Sequence, residues 1–288
     1  MAGAGLIAIK RRIKSITNTR KITRAMNVVA TSKLKKSRDR LGSNDKYYEY
    51  LEEIMSKVVF ADEKSNIYKN GNSSEKKLYI MLTSDSGLCG GFNGEVVNHT
   101  IGLIKGRRDK SLVIVVGQKG RNYLKRFNIE TVAEYVEIPD IPTSQEANIL
   151  VKQALDMYEK GEVGEVNIVY HEFISTVKRS IKVKKLLPLE NKSQKEEEKS
   201  DVQSYFEFEP SAGEILQERL GGYITGTVLN CMISSKCSEQ ASRVEAMSNA
   251  TRNANDLLEK LNIKYNRIRQ SAITQEISEI VGGAEAQK

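Results

Sequence analysis

Apolar side chains near the start of the chain recur at helical spacing. Ile9, Ile13 and Ile16 sit at i, i+4 and i+7, and Ile22, Met26 and Val29 repeat that spacing in a shifted phase. Leu34, Leu41, Tyr48 and Met55 then follow at intervals of seven. The pattern predicts one long helix from about Leu6 to Val59 with a narrow apolar stripe. Residues 62–77 are polar and turn-rich and read as a linker. The pattern then changes. Leu78–Thr83, Ser111–Gly117 and Glu165–His171 are short apolar runs of the kind that form buried strands. Helix-like stretches, Glu95–Arg107, Lys119–Phe127 and Ser144–Lys160, lie between and around them. This alternation predicts a parallel-rich, doubly wound sheet, with Thr176–Leu187 as an added edge strand. Residues 191–201 (NKSQKEEEKSD) read as a charged loop.

The last segment predicts a second long helix, starting near Pro210 and ending at Gly282 and Gly283. Val244, Met247, Thr251, Ala254, Leu258, Leu261, Tyr265, Ile268 and Ala272 alternate three and four residues apart, a heptad seam sustained over four heptads. A period of 3.5 implies a left-handed supercoil. Thr251, Ala254 and Ala272 make the seam close and thin. At 1.5 Å per residue the two helices would be roughly 80 and 105 Å long. The expected fold class is α/β: a long antiparallel coiled coil of the N- and C-terminal helices plus a central doubly wound, Rossmann-like domain. The expected divisions are residues 1–60, 76–209 and 210–288.

Composition sharpens this picture. The 288 residues are 28% charged and 39% hydrophobic, which excludes collagen-like and wholly disordered classes. Of the four prolines, none lies in residues 1–138 or 211–288, so both stretches are free to hold long helices. Aromatic residues are only 6%, thin for one large core. Residues 1–40 carry twelve Lys or Arg against Asp39, giving +11; with a total of +8, the remaining 248 residues sum to −3. Such a segment faces something acidic: nucleic acid, anionic lipid or an acidic protein surface. The longest uncharged run, the sixteen residues Leu220–Ser235, is too short and too polar to span a bilayer.

Catalytic and ligand chemistry find little support. Three cysteines with no CxxC, and two histidines, argue against zinc and for a reducing compartment. Gly87-Leu-Cys-Gly-Gly-Phe-Asn-Gly94 follows a predicted strand, where a phosphate-cradling loop would sit. It is not GxGxxG, no P-loop lysine motif exists, and a tight turn capped by Asp85 and Ser86 is the simpler reading. Gly3-Ala-Gly5-Leu-Ile-Ala8 fits GxGxxA without a preceding strand. Asp85, Cys89 and His99 form no supported catalytic set. The basic first helix allows a coiled-coil nucleic-acid-binding protein as the alternative, although its charges are threaded among apolar stripe residues. Its pairing with a second long helix also argues against membrane-surface docking.

Four segments resemble, in order, signature segments of the gamma subunit of F-type ATP synthase. They are RRIKSITNTRKITRAMNVVATSK (11–33), TSDSGLCGGFNG (83–94), SEQASRVEAMSNATRNAN (238–255) and YNRIRQSAITQEISEIVGGA (265–284). The length and the helix–α/β–helix plan agree over the whole chain. Ser86 stands where the family commonly carries Arg, which changes any charge contact of that loop. The 191–201 loop lacks cysteine, so the redox switch of chloroplast members is not expected. No typical transit peptide is present, which points to a bacterial member.

The resemblance implies a non-catalytic rotor shaft without cofactor or metal. It would couple ion translocation through the membrane ring to ATP synthesis or hydrolysis in the beta subunits. Implied partners are the alpha and beta subunits around the shaft, the epsilon subunit and the membrane c-ring, with no nucleic acid and no direct membrane insertion. The implied location is the cytoplasmic face of the bacterial cell membrane. By motif match, Arg269, Gln270 and Thr274 correspond to the family segment that engages the beta subunits' catch loops. Lys21, Arg24 and Met26 correspond to the facing segment near the beta levers. Arg243 and Glu279 lie in matching C-terminal segments. Residues 238–288 hold seven basic and seven acidic side chains, as a surface that slips past its walls requires.

Overall fold

Two long helices and one five-stranded sheet make up the computed structural model, which describes residues 2–61, 66–189, 208–209 and 211–285. In chain order the elements are helix α1 (Ala2–Ala61), the single-turn α2 (Ile67–Asn70), strand β1 (Lys77–Leu82), α3 (Phe92–Ile104), β2 (Ser111–Val116), α4 (Gln118–Arg126), β3 (Ala133–Tyr135), α5 (Ser144–Glu159), β4 (Glu165–Phe173), β5 (Arg179–Leu187) and α6 (Ala212–Glu285). The chain forms two compact units: Met1–Ala30 with Arg243–Lys288, and Thr31–Ser242.

In the first unit the ends of α1 and α6 run antiparallel. Thr23 Oγ1 lies 2.8 Å from Thr251 Oγ1, Asn27 donates to the Val244 carbonyl at 3.0 Å, and Arg20 donates to Asn255 Oδ1 at 3.2 Å. All nine positions from Val244 to Ala272 in the three-four alternation are buried or half-buried, while most residues between them are exposed. On α1 the matching positions are Leu6, Ile9, Ile13, Ile16, Arg20, Thr23, Asn27 and Ala30. Stepping from the Thr23–Thr251 pair by heptad intervals sets Ile16, Ile13, Ile9 and Leu6 across from Leu258, Leu261, Tyr265 and Ile268.

This register corrects the expected phase of the first stripe. Ile22 and Val29 are 59% and 55% exposed, and Met26 is half-buried. The reason is geometric: a supercoiled stripe advances by three and four alternately, so the residues following Ile16 in phase are Arg20, Thr23 and Asn27, polar though they are. The middle of the seam is therefore held by side-chain hydrogen bonds, and its flanks by aliphatic contact. Helix α6 also continues through Gly282 and Gly283 to Glu285, where an ending was expected. Its predicted start at Pro210, and the 191–201 loop, lie outside the described residues.

In the second unit the sheet order is β3-β2-β1-β4-β5, parallel throughout except for antiparallel β4–β5. The central strands β1, β2 and β4 are buried on both faces, as parallel strands covered by helices must be. Alternation splits β1: Tyr79 and Met81 join Val96, Val97, Ile104, Val113, Val115 and Leu124 in one cluster, and Leu78, Ile80 and Leu82 are buried on the opposite face. Edge strand β5 is half-exposed along most of its length and starts at Arg179 rather than Thr176. Three elements were not expected: three-residue β3, a 3-10 turn at Arg108–Lys110, and α2 within the supposed linker, whose residues 62–65 lie outside the described residues.

Helix α5 starts at a capping box. The Thr143 side chain accepts from the Gln145 amide, and Glu146 accepts from the Thr143 amide at 2.8 Å and its hydroxyl at 2.6 Å. Those hydrogen bonds hold the Glu146 carboxyl below its usual pKa. Thr143→Ala should cost about 1 kcal/mol, read as a lower urea midpoint with an unchanged slope.

Candidate functional site

Doubly wound sheets bind ligands outside the C-terminal ends of their strands, where the strand order reverses. Here that point lies between β1 and β4. It is occupied by α6. Ser234, Ser238 and Ser242 lie four residues apart, on one helix face. Ser234 Oγ accepts from the Phe173 amide at 2.9 Å, Ser238 Oγ donates to the His171 carbonyl at 3.2 Å, and Ser242 Oγ donates to the Cys89 carbonyl at 2.7 Å. All three serines are at most 5% exposed. The gap left among Leu82, Val116, Ser235 and Glu239 is about 10 Å³, around the least that holds one water. The place where a ligand would sit outside the strand ends is thus taken by a helix.

The glycine loop is closed by its own hydrogen bonds. Asn93 Oδ1 accepts from the Ser84 amide at 2.9 Å, and Asn93 Nδ2 donates to Ser84 Oγ at 2.7 Å and to Cys89 Sγ at 3.2 Å. Helix α3 starts at Gly91 without a side-chain cap, which corrects the expected role of Asp85 and Ser86. Asp85 Oδ1 instead accepts from the amides of Gln118, at the start of α4, and Glu137. Gly117 and Gly120 bring α4 onto Thr83. Gly117 has φ +103°, and a Cβ there or at Gly120 would lie 2.4 or 2.5 Å from a Thr83 oxygen.

Among the described residues the titratable groups form no catalytic constellation. Cys89 is buried, and His99 is exposed on α3. Burial pushes the Cys231 and Cys237 thiols up to about 12, which keeps them protonated and unreactive. His171 is 1% exposed and stacks on Phe92 with ring centroids 4.6 Å apart. Burial lowers its pKa, so it is neutral near pH 7. Among the described residues no cluster of His, Cys, Asp or Glu suits a metal ion, and no helix is long and apolar enough to cross a membrane.

The first unit carries the chemistry that remains. Lys21 and Arg24 are exposed and line a groove with Arg20, Arg252, Ser248 and Asn255. Arg269, Gln270 and Thr274 are also exposed, but lie further along α6, past the aliphatic part of the seam. Thr274 Oγ1 donates to the Gln270 carbonyl within the helix. The structure thus joins Lys21 and Arg24 in one surface and leaves the Arg269 group as another. Arg243 is buried and Glu279 exposed. Beyond Ala272, every residue to Ala284 is exposed, and Ile273, Ile277 and Ile280 make an apolar stripe there, 48–70% exposed. Arg20, Arg252 and the serine ladder were not anticipated. The i, i+4, i+8 spacing of the serines was the available signal.

The paired long helices of one unit, and in the other an α/β sheet whose ligand crevice is filled by α6, are features of a mechanical subunit. The comparisons agree. The family model described as ATP synthase matches residues 5–287. An ATP synthase gamma chain of Clostridium acetobutylicum is 57% identical over 288 residues, covering all of both chains, and one of Clostridium novyi is 53% identical over 290 residues, again covering all of both. A Tetrahymena thermophila mitochondrial ATP synthase central stalk/c-ring chain matches with TM-score 0.62 and 27% identity, covering 80% of this chain and 99% of that one. A Euglena gracilis mitochondrial ATP synthase chain has the same fold with TM-score 0.75 and 20% identity, covering 99% of this chain and 95% of that one. The chain belongs to the ATP synthase gamma chain family. It is a non-catalytic subunit, the central rotor of that complex, and the nucleic-acid reading is dropped.

Proposed function

We propose that the first unit is the torque-bearing tip of the rotor and that it makes two kinds of contact with the beta subunits. Lys21 and Arg24, with half-buried Met26 beside them, meet acidic lever segments; Arg269, Gln270 and Thr274 meet catch loops. Alpha subunits complete the surrounding wall. The second unit meets the epsilon subunit and the c-ring, at the cytoplasmic face of the bacterial membrane. The observation that carries this reading is the change in α6 at Ala272, from a helix with a buried seam to one exposed on all sides. A helix exposed all round can touch successive walls as it turns. The mixed charge of residues 238–288, seven basic against seven acidic, keeps those contacts weak and orienting.

The test is a reversible cross-link from Thr274→Cys to a beta subunit in the assembled complex. At most one link per complex should form, ion-driven ATP synthesis should stop, and reduction should restore it. Arg269→Ala/Gln270→Ala should lower coupled turnover more than assembly. Parental synthesis rates in the double variant, or unimpeded synthesis in linked complexes, would refute the assignment.

A further inference from the structure

A second cationic groove lies in the α/β unit, at the edge of the sheet opposite the serine ladder. It is an open depression of about 600 Å³ at the N-terminal ends of β1 and β2, lined by Lys77, Lys105, Arg107 and Lys110 against the two acids Glu75 and Asp109. These come from the start of β1 and from the turn Lys105-Gly-Arg-Arg-Asp-Lys110 between α3 and β2, and Arg108 extends the cluster. Lys110 pairs with Glu75, and Lys77 with Glu165 at 2.7 Å. Lys105, Arg107 and Arg108 have no ion-pair partner among the described residues, and all three are exposed. The concentration is local, because the 248 residues after the first 40 sum to −3. A guanidinium and an ammonium lining a groove of this size, with a second exposed guanidinium at the next position in sequence, suit several phosphate groups in a row: guanidinium forks bind phosphate oxygens in pairs, and the ammonium adds a mobile point charge.

We propose that this groove binds oligophosphate groups, carried either by a free polyphosphate or by anionic phospholipid headgroups, through Lys105, Arg107 and Arg108. The proposal is independent of the beta contacts above. Titrating the full-length chain with sodium tripolyphosphate in a calorimeter should show binding that weakens as salt is raised. Arg107→Ala/Arg108→Ala should weaken it on the order of tenfold or more, and Lys105→Ala less but in the same direction. Because these side chains are exposed, thermal unfolding should not change. The control is Arg11→Ala/Arg12→Ala, which removes the same charge from the basic first helix and should change the affinity less than about twofold. Sedimentation with phosphatidylglycerol vesicles separates the sources. Vesicle binding lost in Arg107→Ala/Arg108→Ala identifies headgroups, and tripolyphosphate binding without vesicle binding identifies a free oligophosphate. No binding of either, or equal losses in the two double variants, would overturn the proposal.

Discussion

Leu258→Asp is expected to open the helix pair of the first unit and to lower the yield of assembled complex sharply. Leu258 is 7% exposed and sits, by the register of the Thr23–Thr251 pair, across from Ile16. Removing it from contact forfeits roughly 1.5–3 kcal/mol of burial. The carboxylate must then either lose solvent or push the helices apart. Toward the middle of the seam its neighbours offer little reserve, because the next layers are Ala254 with Arg20 and then Thr251 with Thr23; on the other side Leu261 meets Ile13. A total near 3 kcal/mol or more is large against a seam this thin. Hydrogen exchange should show faster opening of residues 9–23 and 251–265, with the α/β unit unaffected. Parental exchange rates and assembly yield in this variant would refute the pairing.

Sequence alone reveals part of this architecture because burial and hydrophobicity coincide there. The Val244–Ala272 alternation is such a place, and so are the near-continuous apolar runs that became β1, β2 and β4. The first helix misleads where the two diverge. Ile22 and Val29 are the apolar residues of their stretch, yet Arg20, Thr23 and Asn27 hold the stripe, because they hydrogen-bond across it. Strand β3 was invisible because three residues, none fully buried, leave no alternation to read. The serine ladder has no hydrophobic signature at all; its logic is a set of hydrogen bonds to the end of β4 and to the glycine loop, some 60 to 150 residues away. The groove shared by Lys21, Arg24 and Arg252 depends on a register between segments more than 220 residues apart.

Acidification is expected to weaken the attachment of α6 to the sheet through His171. Its Nε2 lies 3.0 Å from the Phe92 carbonyl, which as an acceptor requires the proton to be on that nitrogen. The Nδ1 is buried and has no hydrogen-bond partner among the described residues. Protonation would place a charged N–H there, facing nothing that accepts it. Burial is the main cause of the lowered pKa; Arg179 adds to it, and the Phe92 carbonyl and Glu95, 3.8 Å away, offset it only in part. The unfolded chain, with His171 at its ordinary 6.5, therefore binds more protons than the folded one below that pH. Stability should be flat with respect to this group above pH 7. It should start to fall near 6.5, and level off once the pH passes the lower, folded value. The slope contributed in that window is at most about 1.4 kcal/mol per pH unit. His171→Gln, whose amide can still donate to the Phe92 carbonyl, should remove most of this slope while costing stability at pH 7.5. Because Ser238 binds the His171 carbonyl and Ser234 the amide of Phe173, the acid effect should appear first as faster exchange of backbone amides in β4 and in residues 234–242 of α6. Equal pH slopes in the parent and His171→Gln, or exchange confined to the sheet edges, would show that the buried imidazole is not the group that titrates.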